Sequence, residues 1–430
     1  MFDQNGLSLD QAPPIQVVFG LFLMGSFFGV VAGLSLFYYG IDIYDFSSTG
    51  AIIMTHLLAL GVMMAFMLGA LFQMLPVIAG VVLEAPLPKA TMVRALLFAG
   101  VVTLIFGFVY HLSFLFLFAS VFLGSSLLYI GVTMLIRLRK LSHHSASSKG
   151  MLFALGSLCV LVLLGLYLAL THAQMVGGEH FLQVRKLHYS FGLFGWIGLL
   201  IASISFQTVE MFYVTPAYPK IMSRYLPMGI FLVLVAMIFA ILLKPTMAAW
   251  LQPLLYLGLA LYGLVTLLRL SQRKRPLADA TMWFWRMGMG SLVLSMLLLL
   301  IAYFTGVDTL LPSGAVLFLS FALSVLFAML YKIIPFLTWF HLNSQGYLTA
   351  PMMHEIIHPK TAKRHFYIHF AMIVSLLLSQ ALSWIIFAAA ALMLLSFAWI
   401  GYQVWYARKR YTHTQENGEK FDMGMMGGSS

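Results

Sequence analysis

The sequence predicts an all-α, polytopic membrane protein of twelve transmembrane helices arranged as three four-helix repeats. Three observations predict it. First, the AVILMFWYC residues make up 62% of the 430 residues, charged residues 9%, and the mean hydropathy is +0.96. A soluble globule is about 25% charged, so this chain lacks the polar surface that water requires. Second, the chain offers twelve apolar stretches of the roughly 20 residues needed to cross the hydrocarbon. Third, its basic residues sort to one side once those stretches are threaded back and forth.

The stretches run 16–40, 51–80, 91–111, 114–136, 150–172 and 187–214, then 224–243, 246–268, 282–305, 311–340, 364–383 and 385–407. Hairpins at His111–Ser113, Lys244–Pro245 and Ser383–Trp384 divide the longest apolar runs. Lys89 and Arg94 follow the second span, and Arg137, Arg139, Lys140 and Lys149 follow the fourth. Lys220 and Arg224 follow the sixth; Arg269, Arg273, Lys274, Arg275 and Arg286 follow the eighth. Lys360, Lys363 and Arg364 come after the tenth, and Arg408, Lys409, Arg410 and Lys420 close the chain. Twenty of the 24 Lys and Arg residues thus share the side of the two termini, against Arg185, Lys186 and Lys244 opposite and Lys332 within a span. The positive-inside rule makes that side cytoplasmic. Met1–Gln16 carries Asp3 and Asp10 but no basic n-region, so a secretory signal is not expected and the first helix should remain.

The strongest basic clusters begin at Arg137, Arg269 and Arg408, 132 and 139 residues apart, with four spans in each interval. The second span of each quartet also carries a related segment: Phe72-Gln73-Met-Leu-Pro76, Phe206-Gln207-Thr-Val-Glu210 and Tyr331-Lys332-Ile-Ile-Pro335. These observations delimit pseudo-repeats 16–144, 150–275 and 282–413 within one membrane domain, followed by a flexible cytoplasmic tail, 414–430.

Three helical quartets, internal termini and a repeated second helix resemble subunit I of the haem-copper oxidases, whose twelve helices form three arcs. The segment His56-Leu-Leu-Ala-Leu-Gly61, running on to Leu75-Pro76 and Gly80, and its counterpart His188 to Gly192, Gly195-Trp196 and Phe206-Gln207, is closer to the NnrS-type haem- and copper-containing membrane proteins. The resemblance implies a cytochrome oxidase subunit I-like fold in a bacterial inner membrane. It also implies b-type haem or copper, and work in respiratory electron transfer or nitric-oxide handling with a membrane or periplasmic redox partner. The departures are specific. The tenth span has no His before His341, the seventh has none, and His188-Tyr189 has the wrong spacing for a His–Tyr cross-link. Oxygen reduction at a haem-copper centre is therefore not expected.

Among the 13 histidines, His56 and His188 enter the second helix of their quartets from the outer side and are the expected haem ligands. His111 and His172, near outer helix ends, are further candidate metal ligands. His365 and His369, four residues apart, follow Lys360, Lys363 and Arg364 and read as part of a solvated inner-surface region. Gln73, Gln207, Glu210 and Lys332 lie in the inner halves of the second helices, and Glu210 and Lys332 are expected to face each other or a shared water cavity, as a buried pair or proton path. Met63, Met67 and Met74 fall near the His56 face, a pattern that suits Cu(I) and, more simply, core packing.

The single Cys159 excludes a disulfide framework and thiolate metal sites. No Walker A loop or dinucleotide fingerprint occurs, and the basic loops suit anionic lipid headgroups better than nucleic acid. The alternatives to a haem protein are a transporter for copper or a small solute, and a cofactor-free assembly protein.

Overall fold

The protein is described by a computed structural model covering residues 12–243, 245–274 and 279–420. Asp3, Asp10, Lys244, Arg275 and the end of the tail, 421–430, lie outside the described residues. Among the described residues twelve long helices follow one another: α1 Ile15–Tyr39, α2 Thr49–Ala79, α3 Pro86–Tyr110, α4 Ser113–Arg139, α5 Ala146–His172, α6 Phe181–Tyr213, α7 Lys220–Leu243, α8 Pro245–Ser271, α9 Ala280–Thr305, α10 Leu311–Ser344, α11 Pro359–Leu378 and α12 Ile386–Asn417. All of these except α11 contain a stretch long and apolar enough to cross a bilayer. At 20 residues α11 is the shortest, and Lys360, Lys363 and Arg364 occupy its first two turns.

The helix ends follow from local chemistry. Ser48, Ser145 and Asp279 cap α2, α5 and α9 by accepting the amides of Ala51, Ser148 and Met282 at 3.0, 3.1 and 3.0 Å. Proline opens α3, and Gly80 ends α2 in the left-handed region at φ +66°. The helices overrun the expected spans mainly at their polar ends. The largest overrun is α12, which continues to Asn417 rather than stopping at 407.

Over 414–420 that overrun corrects the expectation of a loose tail; 421–430 lie outside the described residues. The Leu348 amide donates to the Glu419 carbonyl at 2.9 Å, the Tyr347 hydroxyl to the Gln415 carbonyl at 3.0 Å, and the Lys420 ammonium sits 4.7 Å above the Tyr347 ring. The chain from 414 to 420 is docked on the α10–α11 connection.

Cross-links at the helix ends define the two faces of the molecule. At one end Arg137 pairs with Glu84 at 2.7 Å, joining α4 to the α2–α3 turn. The Lys274 amide donates to the Val214 carbonyl at 3.0 Å, and Lys332 pairs with Asp279 at 2.6 Å. This is the end that gathers the Lys and Arg residues. At the opposite end Tyr44 meets Ser379 at 2.7 Å, and Ser313 donates to Gln380 at 2.7 Å.

First and last helices also meet. A side chain at Gly29 would fall 2.1 Å from the Phe397 ring, and one at Gly33 would fall 2.7 Å from the Leu394 backbone. Small residues four apart let α1 approach α12 closely, the usual device for helix packing in lipid. In the middle, α2, α6 and α10 surround a narrow cavity of about 40 Å³, lined by Met67 and Met74, by Leu200 and Ile204, and by Val325 and Met329.

Candidate functional site

Two of the central helices contain an irregularity at the same place. Leu57–Met64 in α2 and Phe191–Gly198 in α6 are π-helical, beginning one residue after His56 and three after His188. Leu57 to Phe191 and Phe72 to Phe206 are both 134 residues apart, so the two π-turns stand in the same register to the two Phe-Gln segments. A π-turn accommodates an extra residue, disrupts the regular backbone ladder locally and recurs at functional sites. No π-turn occurs in the described part of α10.

His56 and His188 are brought together. Their ring centroids are 6.4 Å apart with planes 24° from parallel. His56 Nδ1 donates to the Ile52 carbonyl one turn back at 2.8 Å, and His188 Nδ1 donates to the Leu161 carbonyl of α5 at 3.2 Å. A carbonyl only accepts, so in each neutral ring Nδ1 carries the proton and Nε2 presents a lone pair. Carbonyl support of this kind is the usual way a metal-ligating imidazole is oriented. The α5 backbone comes close to His188 because residue 165 is glycine: a Cβ there would stand 2.9 Å from His188 Cε1.

The further candidates sit around this pair. His172, exposed at the end of α5, stacks on Phe116 at 4.9 Å and meets Phe108 edge-on at 5.5 Å; Phe108 in turn lies 5.8 Å from His56. His111 is exposed in the α3–α4 turn with φ +54°. Among the described residues no three His, Cys, Asp or Glu side chains converge as a metal site. The donor set at the opposite end from the basic face is thus a pair of imidazoles beside an aromatic shell.

The polar groups of the basic half are arranged differently from expectation. Lys332 does not need Glu210, because Asp279 at the head of α9 supplies its counter-charge at 2.6 Å. Burial raises the Asp279 pKa, but the Lys332 ammonium, aided by Thr281 and the Met282 amide, outweighs it and holds the carboxyl below its ordinary value. Glu210 instead accepts the Tyr218 amide at 2.8 Å, tying α6 to the loop before α7. Gln207 is partly exposed. Gln73 is buried, and neither of its amide atoms meets a hydrogen-bond partner among the described residues.

The expectation for His365 and His369 is overturned. Both are completely buried, with 0% exposure. His358 Nδ1 and Pro359 start α11 at the edge of the basic face, which carries His365 and His369 two and three turns inward. At 100° per residue, Lys363 and Arg364 point well away from them. His365 lies between the Tyr331 hydroxyl, 2.9 Å from Nδ1, and the Ser396 hydroxyl, 2.8 Å from Nε2. His369 Nε2 meets the Ser324 hydroxyl at 2.9 Å, while its buried Nδ1 has no hydrogen-bond partner among the described residues.

Comparison of the chain with protein-family models gives no match, and comparison with curated proteins gives none either.

Proposed function

We propose that the protein is a haem-binding, multi-pass protein of a bacterial inner membrane, with twelve crossings, both termini cytoplasmic and three related helical quartets. In this reading His56 and His188 hold one b-type haem between the first two quartets, in a fold like that of oxidase subunit I. The observation that carries the reading is the imidazole pair itself: two half-buried rings 6.4 Å apart, each fixed through Nδ1 to a carbonyl, with no hydrogen bond to either Nε2 among the described residues. The equal register of the two π-turns and the small side at Gly165 support the same assignment.

The donor set suits haem iron, which accepts neutral imidazole nitrogen. When bound, the group supplies one-electron chemistry. The chain's own part is to hold both rings in the tautomer that offers Nε2 and, through Phe108 and its neighbours, to keep that end of the site apolar, which tunes the potential. With two imidazoles engaged, the role that follows is electron transfer to or from a membrane or periplasmic partner, not oxygen reduction.

Optical spectra of the purified protein, oxidised and dithionite-reduced, test this. Wild type should show a Soret band with sharp reduced α and β bands, and His56→Ala and His188→Ala should each lose them. A wild-type protein without a Soret band after expression with ample haem overturns the proposal.

A further inference from the structure

The third quartet holds a polar seam that the haem reading does not use. Ser313, Ser320, Ser324 and Tyr331 follow one another along α10 at intervals of seven, four and seven residues. At 100° per residue these positions stay within about 20° of one line, and the stripe spans about 27 Å along the axis. It therefore runs nearly the full depth of the hydrocarbon.

Each member reaches across to a side chain from the rest of the quartet. Ser313 donates to Gln380 beyond the end of α11 at 2.7 Å, and Ser320 shares a hydrogen bond with Ser291 of α9 at 2.8 Å. Ser324 meets His369, and Tyr331 meets His365, which meets Ser396 of α12. Many hydroxyls elsewhere behave otherwise, although cross-helix pairs also join Tyr262 to Ser205 and Tyr213 to Thr281. Ser26, Ser120, Ser203 and Thr208 donate to the carbonyl one turn back in their own helix, satisfying themselves locally. On α10 the seam hydroxyls are committed to neighbours across the bundle.

Two imidazoles completely buried at membrane depth mark a site of function rather than packing. Phe327 lies 4.6 and 5.2 Å from the two rings and Phe284 lies 5.7 Å from both, so water is kept from their faces. Three of the four ring nitrogens meet hydroxyls, and His369 Nδ1 meets no hydrogen-bond partner among the described residues. At the basic end, the residue after Tyr331 is Lys332, paired with Asp279.

We propose that this seam is a proton-transfer path through the third quartet, with His365 as its relay, His369 beside Ser324 as a group that takes up and returns a proton through Nε2, and the Asp279–Lys332 pair at its basic mouth. The step needs no oxidant or reductant. At His365 the neutral imidazole accepts a proton from one flanking hydroxyl on its unprotonated nitrogen and releases the one on the other nitrogen to the other hydroxyl; turning the ring restores the first tautomer. His365, with a hydroxyl on each nitrogen, is already placed for that exchange. The inference stands independently of the haem.

The experiment uses the full chain labelled with ¹⁵N-histidine, reconstituted in lipid and moved to D₂O, with ring and backbone N–H signals followed by solid-state NMR. His365→Gln and His369→Gln assign the ring signals. The expected result is ring-proton exchange within minutes while the surrounding α11 backbone amides stay protected. Tyr331→Phe, which keeps the ring volume, should slow His365 exchange at least tenfold. Ring protons as protected as the adjacent amides would overturn the path. So would fast exchange that neither Tyr331→Phe nor Ser396→Ala slows, because solvent would then arrive by local opening.

Discussion

The two histidine pairs of this protein use the same side chain in opposite ways. His56 and His188 are half-buried at the less basic end, their Nδ1 atoms spent on carbonyls and their Nε2 atoms open. His365 and His369 are fully buried in α11, and three of their four ring nitrogens meet hydroxyls. A carbonyl partner fixes one tautomer; a hydroxyl partner accepts either. The partner, more than the depth, separates a ring prepared to hold an electron-pair acceptor from one prepared to pass a proton on.

The difference predicts unequal costs of removal. His365→Ala should leave Tyr331 and Ser396 unpaired around a ring-sized void, a loss of roughly 3–5 kcal/mol in stability. In the same haem-free protein, His56→Ala should cost on the order of 1 kcal/mol, since only a half-buried ring on its own helix carbonyl is lost. Denaturant titration in mixed micelles checks both, and equal losses would break the comparison.

Gly165→Val sharpens it from the other side. The new side chain would meet the His188 ring, with an overpacking cost of about 1–3 kcal/mol. Haem retention should therefore fall roughly tenfold or more, with helix content unchanged by circular dichroism and His365 exchange unaffected.

A smaller effect separates the basic mouth from both pairs. The Asp279 carboxylate is held below its ordinary pKa of 3.8. Its pairing with Lys332 is thus fully present at neutral pH and is lost as the pH falls from that value through the lowered folded one. With Asp279's side chain 43% exposed, solvent screening limits the contribution to about 1 kcal/mol or less. The melting temperature of Asp279→Asn should lie below wild type at pH 7 and converge with it as the pH falls below the lowered folded value; a constant gap would mean the carboxylate charge is not involved. At the smallest end, Glu84 is also held low, first by its hydrogen bond from Arg137 and then by that residue's charge. Both partners are exposed, so Glu84→Gln should leave the melting temperature unchanged within error.

Much of this fold is legible in the sequence because lipid imposes a simple rule: every twenty or so apolar residues become a helix, and basic residues collect at alternate turns. The juxtaposition of His56 with His188 is legible for a related reason, since each stands near the head of a long apolar helix that runs on to a Phe-Gln segment. Other features are hidden by the same simplicity. Lys360, Lys363 and Arg364 make the start of α11 look like a loop, whereas Pro359 and the four-residue spacing of His365 and His369 were the signals of a helix with a buried face. The Lys332 partner is hidden in the sequence because Glu210 lies in a span and Asp279 in a connection. Depth along the chain favours the first, while the cap position of Asp279 brings the second within reach.

The π-turns have a consequence of their own. Each works as a phase shift: one surplus residue lets the outer half of the helix point its histidine without dictating where the inner half points Phe72 and Gln73, or Phe206 and Gln207. The two halves of α2, and likewise of α6, have in effect separate rotational settings joined by a compliant coupling. Excising a single residue such as Gly61 would lock the two settings together and swing the imidazole by about 100° relative to the core below it. Changes in length between residues 57 and 64, or between 191 and 198, are therefore coarser perturbations of this protein than any substitution there.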